Sequence, residues 1–250
     1  MSWLVGENLT AQVVSHPRFL AEASATWFLK NVDGTSEPTI LLATGQTPVW
    51  TYQEIVERHN SDGLRFDDAT FFALDEYCGL DTEDPRSFRN ILWQHVAKPL
   101  GLTPDRLVAP NGLATDSHVE AVDYENRLAA RGYADIAILG VGTNGHIAFN
   151  EPGVPFDMPS HVVTLTEETR IANAGTFGGD PSQVPSQAIT VGISTILKSR
   201  RILLLARGEA KRRAISELLS GISSPQWPIT ALLSHPSVHL ITDQEAWPEG

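Results

Sequence analysis

The chain predicts an α/β fold, a mainly parallel sheet with helices on both faces. Three observations carry this expectation. Short apolar runs such as Ile136 to Leu139 and Ile202 to Leu205 show no polar alternation, as strands buried on both faces do. Segments with helical spacing of apolar residues separate these runs. Several runs end in a glycine turn or an acidic pair, and parallel sheets present their sites at strand carboxyl ends.

The elements follow in order. Phe19 to Leu29 has helical spacing. Thr39 to Ala43 is an apolar run followed by the turn TGQTP. Val49 to Arg58 predicts a helix, with Thr47 as N-cap and Pro48 at its first position. Thr70 to Leu74 predicts a buried strand ending on Asp75-Glu76. Ser87 to Val96 and His118 to Ala130 predict helices. Asp135 to Leu139 predicts a strand, and Val162 to Leu165 another. Thr190 to Lys198 is expected to be a helix, Ile202 to Leu205 a strand, Lys211 to Leu219 a helix and Val238 to Ile241 a last strand. Asp180 to Pro185 is the one segment with the composition of a lid. No repeat, low-complexity tract or domain boundary is visible.

Composition narrows the function. With 250 residues, 42% hydrophobic and 19% charged, the chain has the make-up of an ordinary globular α/β protein. A net charge of −12 argues against a general polyanion binder, and hence against nucleic acid. A small phosphorylated ligand remains compatible, because a pocket can be locally positive. Cys78 is the only cysteine, read as structural, so a reducing compartment fits. No signal sequence or apolar run of membrane-spanning length is seen, so a cytoplasmic protein without membrane contact is expected. The histidines show no metal-ligand spacing; His95 and His118 are read as surface or packing residues.

Gly140 to Gly153, GVGTNGHIAFNEPG, is the most informative stretch. Its glycines turn the chain after a buried strand and present an amide (Asn144), an imidazole (His146) and a carboxylate (Glu151). Such a loop suits acid–base chemistry, with Glu151 polarising the imidazole. Gly140, Gly142 and Gly145 also match the dinucleotide-binding pattern G-x-G-x-x-G. That pattern requires a helix to open there, and Pro152 leaves room for only about two turns. Thr44, Gly45, Gln46, Thr47 and Pro48 form either an ordinary capped turn or a phosphate cradle at a helix start, without the G-K-[ST] ending of a P-loop. Asp75-Glu76 are either solvated turn carboxylates or hold a base for a carbon-bound proton. Lys211 belongs either to a basic surface run with Arg212 and Arg213 or to a phosphate site.

The segments LLATGQTP, FFALDEYCGL, ILGVGTNGHIAFNEPG, HVVTLTEETRIANA, VPSQAITVGISTIL and RILLLARGEAK occur in this order. Over roughly residues 38 to 242 the chain resembles the glucosamine-6-phosphate deaminase family. The resemblance implies one modified doubly wound α/β domain over residues 1–250. It implies conversion of glucosamine-6-phosphate and water to fructose-6-phosphate and ammonia, with no metal and no organic cofactor. His146 would open the sugar ring, assisted and oriented by Asn144 and Glu151. Asp75 would move the C2 proton to C1. Thr44, Gly45, Thr47 and Lys211 would hold the phosphate, with Gln46 beside them. Two acid–base groups, one for each step, are what such a sequence of steps requires.

Three positions depart from the family pattern. Gly175 stands where the family has a phosphate-contacting arginine; Arg86 or Arg89 is expected to supply the missing charge. Gln46 stands where a small residue is common. Val154, His161 and Val163 occupy the allosteric positions of the regulated enzymes, so activation by the N-acetylated sugar phosphate is not expected. Galactosamine-6-phosphate is therefore an alternative substrate. A 6-phosphogluconolactonase and a non-catalytic sugar-phosphate sensor are the competing functions, although the short segment before Pro38 is too small for a DNA-binding helix-turn-helix. The family contains monomers and homo-oligomers, and the short C-terminus leans toward the smaller assembly.

Overall fold

Alternate residues of the central strands point to opposite faces of the sheet, and each face carries its own core. In the computed structural model, which describes residues 2–4, 8–63 and 65–248, Leu41, Leu139 and Leu204 pack on one face. Ile40, Leu42, Ile138, Leu203 and Leu205 pack on the other. This double burial is why these strands read as continuous apolar runs.

The strands are β1 (Ser2–Leu4), β2 (Leu9–Val14), β3 (Thr39–Leu42), β4 (Thr70–Ala73), β5 (Asp75–Tyr77), β6 (Leu107–Val108), β7 (Ile136–Gly140), β8 (His161–Thr164), β9 (Gln187–Thr190), β10 (Arg201–Ala206) and β11 (Val238–Asp243). The helices are α1 (Pro17–Val32), α2 (Gln46–Asp62), α3 (Phe88–Leu92), α4 (Ser117–Ala130), α5 (Glu167–Asn173), α6 (Ile193–Ile196) and α7 (Arg212–Leu219). The main sheet has the order β1-β2-β11-β10-β7-β3-β4-β6 and is parallel except for the β1–β2 pair. Residues of α1 and α2 cover one face, and residues of α4, α6 and α7 the other. The expected doubly wound fold is thus present.

From β3 the chain moves outward through β4 and β6, then returns to place β7 on the other side of β3. The direction of strand succession reverses between β3 and β7. That reversal opens a crevice at the carboxyl ends of the strands, where open α/β sheets bind ligands.

A second, antiparallel sheet, β5-β9-β8, starts where β4 ends. Leu74 joins the two sheets: its N–H donates to Leu42 O at 3.0 Å, and its carbonyl accepts from Val191 N–H at 2.7 Å. Asp75 then lies opposite Thr190 in the small sheet. Tyr77, Phe88, Phe149 and Phe177 form a separate aromatic core beneath it.

Several expectations need correction. Gly45, not Thr47, is the N-cap of α2, because only its φ of 118° allows the turn out of β3; Pro48 sits within the first turn. The helix expected over Thr190 to Lys198 shrinks to α6, because the preceding residues pair as β9 in the small sheet. The helix expected over Ser87 to Val96 is α3, capped by Ser87, and ends in a π-turn over Trp93–Ala97. The segment Asp180 to Pro185, noted for its composition, carries a 3-10 turn over Pro181–Gln183; the following Val184 is buried, and the Arg170 guanidinium donates to the carbonyls of Val184 and Ser182, which neither supports nor corrects its reading as a lid.

Candidate active site

A cavity of about 570 Å³ occupies the crevice. Its walls come from the segments that follow β3, β4, β7 and β10. Thr44, Gly45, Gln46, Thr47, Asp75, His146, Arg207 and Lys211 all line it.

His146 owes its place to a missing atom. A Cβ on Gly142 would lie 2.2 Å from the imidazole Cε1, so only glycine lets the ring fold back over the turn. Gly142 N–H donates to the His146 carbonyl at 2.8 Å, closing the loop. Gly145 has φ +81°, and a Cβ there would strike Trp227 at 2.7 Å. No helix opens after Gly145; the chain makes an isolated bridge between Ile147 and Asn150. The helix start that would hold a dinucleotide pyrophosphate is therefore absent from this turn. Ala148, which lines the cavity, is held at φ 50°, uncommon for a residue with a side chain.

Asn144 and Glu151 stand behind the imidazole. Asn144 Nδ2 donates to Glu151 Oε2 at 2.8 Å, and Asn144 Oδ1 accepts from His146 N–H at 3.2 Å. The Thr169 hydroxyl donates to the other Glu151 oxygen. His146 Nδ1 lies 3.8 Å from Glu151 Oε2, too far for a hydrogen bond, and is buried without a partner. Glu151 therefore polarises the ring through its charge and not through a hydrogen bond. Burial pushes the His146 pKa down; the Glu151 carboxylate opposes this and Lys211 adds to it.

The acidic pair divides its work, because neighbouring strand residues face opposite ways. Asp75 lines the cavity. Burial, and then the charge of Glu76, raise its pKa to about 8. Glu76 turns away: its carboxylate accepts from the N–H groups of Tyr77 (2.9 Å), Phe88 (3.1 Å) and Arg89 (2.9 Å), fixing the start of α3. Burial lifts the Glu76 pKa to about 7 despite these three donors.

On the third wall, Gly45 gives α2 no side-chain cap. The first N–H groups of α2 are thus left for a ligand beside the Thr44 and Thr47 hydroxyls. Lys211 ends the short 3-10 turn Glu209–Lys211, and burial lowers its pKa.

Arg86 and Arg89 do not line the cavity. Arg86 is held by Asp84 through contacts of 2.8 and 2.6 Å and stacks over Phe177. The Arg89 guanidinium donates to Pro104 O. Local partners have claimed both side chains. Gly175 lies in a 3-10 turn, and a Cβ there would meet nothing within 4 Å. The cation that sequence reasoning passed over is Arg207, whose only sequence signal is its place at the end of β10. Among the described residues no group of three or more His, Cys, Asp or Glu is placed to hold a metal ion, and no helix is long and apolar enough to cross a membrane.

Residues 15–241 match the family described as glucosamine-6-phosphate isomerases/6-phosphogluconolactonase. The chain is 42% identical to a glucosamine-6-phosphate deaminase of Bacillus velezensis over 233 residues, covering 92% of this chain and 95% of that one. It is similar to the solved structure of a monomeric glucosamine-6-phosphate deaminase, with a TM-score of 0.91 and 38% identity over 94% of this chain and 98% of that one. A 6-phosphogluconolactonase from Trypanosoma cruzi shares the fold, with a TM-score of 0.76 at 18% identity over 98% of this chain and 97% of that one.

Proposed function

From its membership of the glucosamine-6-phosphate isomerase/6-phosphogluconolactonase family, we infer that this chain is a glucosamine-6-phosphate deaminase. It converts glucosamine-6-phosphate and water to fructose-6-phosphate and ammonia. The observation that carries the assignment of residues is that Asp75 and His146 reach one cavity from different strands, opposite an uncapped helix start and a lysine.

Neutral His146 takes the proton of the anomeric hydroxyl and returns it to the ring oxygen, opening the ring. Burial keeps the imidazole in the form able to accept that proton. The Glu151 charge stabilises the imidazolium formed in passing, and Asn144 holds Glu151 in place. Asp75, as carboxylate, takes the C2 proton and delivers it to C1. The C–H bond at C2 is broken and one at C1 is formed, one proton passes from the nitrogen to O1 so that the aldehyde becomes an alcohol, and the nitrogen is left as an imine at C2. Water adds to that carbon and ammonia leaves, giving the ketone. Thr44, Gly45, Thr47 and Lys211 hold the phosphate, and Gln46 reaches the sugar; binding remote from C1 and C2 fixes the reacting carbons against Asp75.

The lactonases share only the fold at this level of identity, and a lactone hydrolase has no use for a buried carboxylate placed to move a carbon-bound proton. Likeness to a monomeric deaminase supports a monomer, and the single cysteine a reducing, cytoplasmic setting.

The test is ammonia release and ketose phosphate formation with glucosamine-6-phosphate and galactosamine-6-phosphate in parallel. Turnover of the glucosamine compound, lost in Asp75→Asn, is the expected result. Hydrolysis of 6-phosphogluconolactone with neither amino sugar consumed would overturn the assignment.

A further inference from the structure

The cavity is lined by one lysine and one arginine, Lys211 and Arg207. Their situations differ from those of the neighbouring basic residues. Arg212 is engaged by the Glu209 carboxylate and the Glu245 carbonyl, and Arg213 lies over the Trp227 ring. Arg207 has no ion pair or side-chain hydrogen bond among the described residues. Its guanidinium instead lies over the Trp50 ring of α2, with Cζ 4.2 Å from the centroid. A guanidinium laid on a ring uses its face for the cation–π contact and keeps its N–H edge free.

Trp50 belongs to the second turn of the same helix whose first turn is left uncapped in the cavity. The stack therefore ties the end of β10 to the helix start that offers the free N–H groups. Arg207 stands on the ridge between this cavity and a neighbouring one lined by Arg18, Glu22 and Trp50. Glu245 is the acidic residue on the same rim, with Oε2 3.9 Å from where a Cβ of Gly208 would lie.

We propose that Arg207, held by Trp50, is the second cation of the phosphate subsite, completing with Lys211 and the start of α2 a site for a dianionic phosphate monoester. The planar fork of a guanidinium takes two phosphate oxygens at once, whereas Lys211 acts as a point charge. The proposal rests on the assignment of a sugar phosphate to this cavity. It accounts for a phosphate site without a cation at Gly175, and it makes the end of β10 a determinant of affinity.

The experiment measures steady-state kinetics with glucosamine-6-phosphate and calorimetric binding of inorganic phosphate, for the wild type, Arg207→Gln, Arg207→Ala and Trp50→Leu. Either Arg207 variant should raise KM by about 10- to 100-fold with kcat changed by less than about threefold, the size expected for losing a hydrogen bond to a charged group. Inorganic phosphate should weaken by the same factor. Trp50→Leu should fall between, and Glu245→Gln should bind phosphate at least as tightly as the wild type. Unchanged KM and unchanged phosphate binding in both folded Arg207 variants would overturn the proposal while leaving the deaminase intact. A wild type that binds inorganic phosphate through Arg207 but releases no ammonia would overturn the deaminase reading and leave the phosphate site standing.

Discussion

Asp75→Asn should abolish turnover and at the same time stabilise the protein. The carboxyl is buried, its pKa is raised from 3.8 to about 8, and the causes are burial and the Glu76 charge, with no hydrogen bond offsetting them. Between those two values the folded state binds a proton that the unfolded state has released. Stability is therefore lost as pH rises from the unfolded value to the folded one, at up to about 1.4 kcal/mol per pH unit. At pH 7 this amounts to at most about 4 kcal/mol, and at pH 4 to under about 1 kcal/mol. Asparagine keeps the shape and carries no charge to desolvate, so its advantage should be small at pH 4.5 and grow to about 2 to 4 kcal/mol by pH 7. Urea titrations of both proteins at pH 4.5, 6 and 7.5, with equal m-values, read this out directly. An advantage that does not vary with pH, or an Asn variant less stable than wild type at pH 7.5, would refute a desolvated carboxyl at this position. Residual turnover above a few per cent would refute its role as the base.

Three further outcomes follow from the site. Because the base must be ionised, kcat/KM should rise with pH and level off near the Asp75 pKa of about 8, with unit slope below it; a plateau already reached at pH 6 would remove Asp75 from the rate expression. Gly142→Ala places a methyl 2.2 Å from the imidazole, so the ring must move; kcat should fall by about 100-fold while the fold survives, as circular dichroism would verify. Glu76→Gln removes a charge beside Asp75, so it should lower the pH at which kcat/KM levels off; an unchanged pH profile in the folded variant would remove Glu76 from the causes of the Asp75 shift.

The sequence disclosed what depends on burial and on local turns. β3, β7 and β10 are enclosed on both faces, so their apolar runs are unambiguous, and the glycines around His146 announce a turn. It concealed what depends on partners distant along the chain. β9 becomes a strand only by pairing with β5 and β8; the sequence alone predicts no element over Gln187 to Ile189 and puts Thr190 at the start of a helix. Arg86 and Arg89 look available until Asp84 and Pro104 are seen to hold them. Arg207 looks like one basic residue among several until Trp50 is brought beneath it. The LDEY motif does not say which carboxylate faces the crevice; the geometry of β5 does.

Leu74 and Asp75 lie on the seam between two sheets, and this makes activity a late reporter in refolding. The seam needs Leu42 from early in the chain and Thr190 from much later, so its closure waits on contacts that are distant in sequence and costly in loop entropy. The main sheet can regain its far-ultraviolet signal while the base is still unplaced. In a stopped-flow refolding experiment, recovery of catalysis should lag behind recovery of secondary structure. A variant that weakens only the β5–β9 pairing should lengthen that lag without changing the earlier phase.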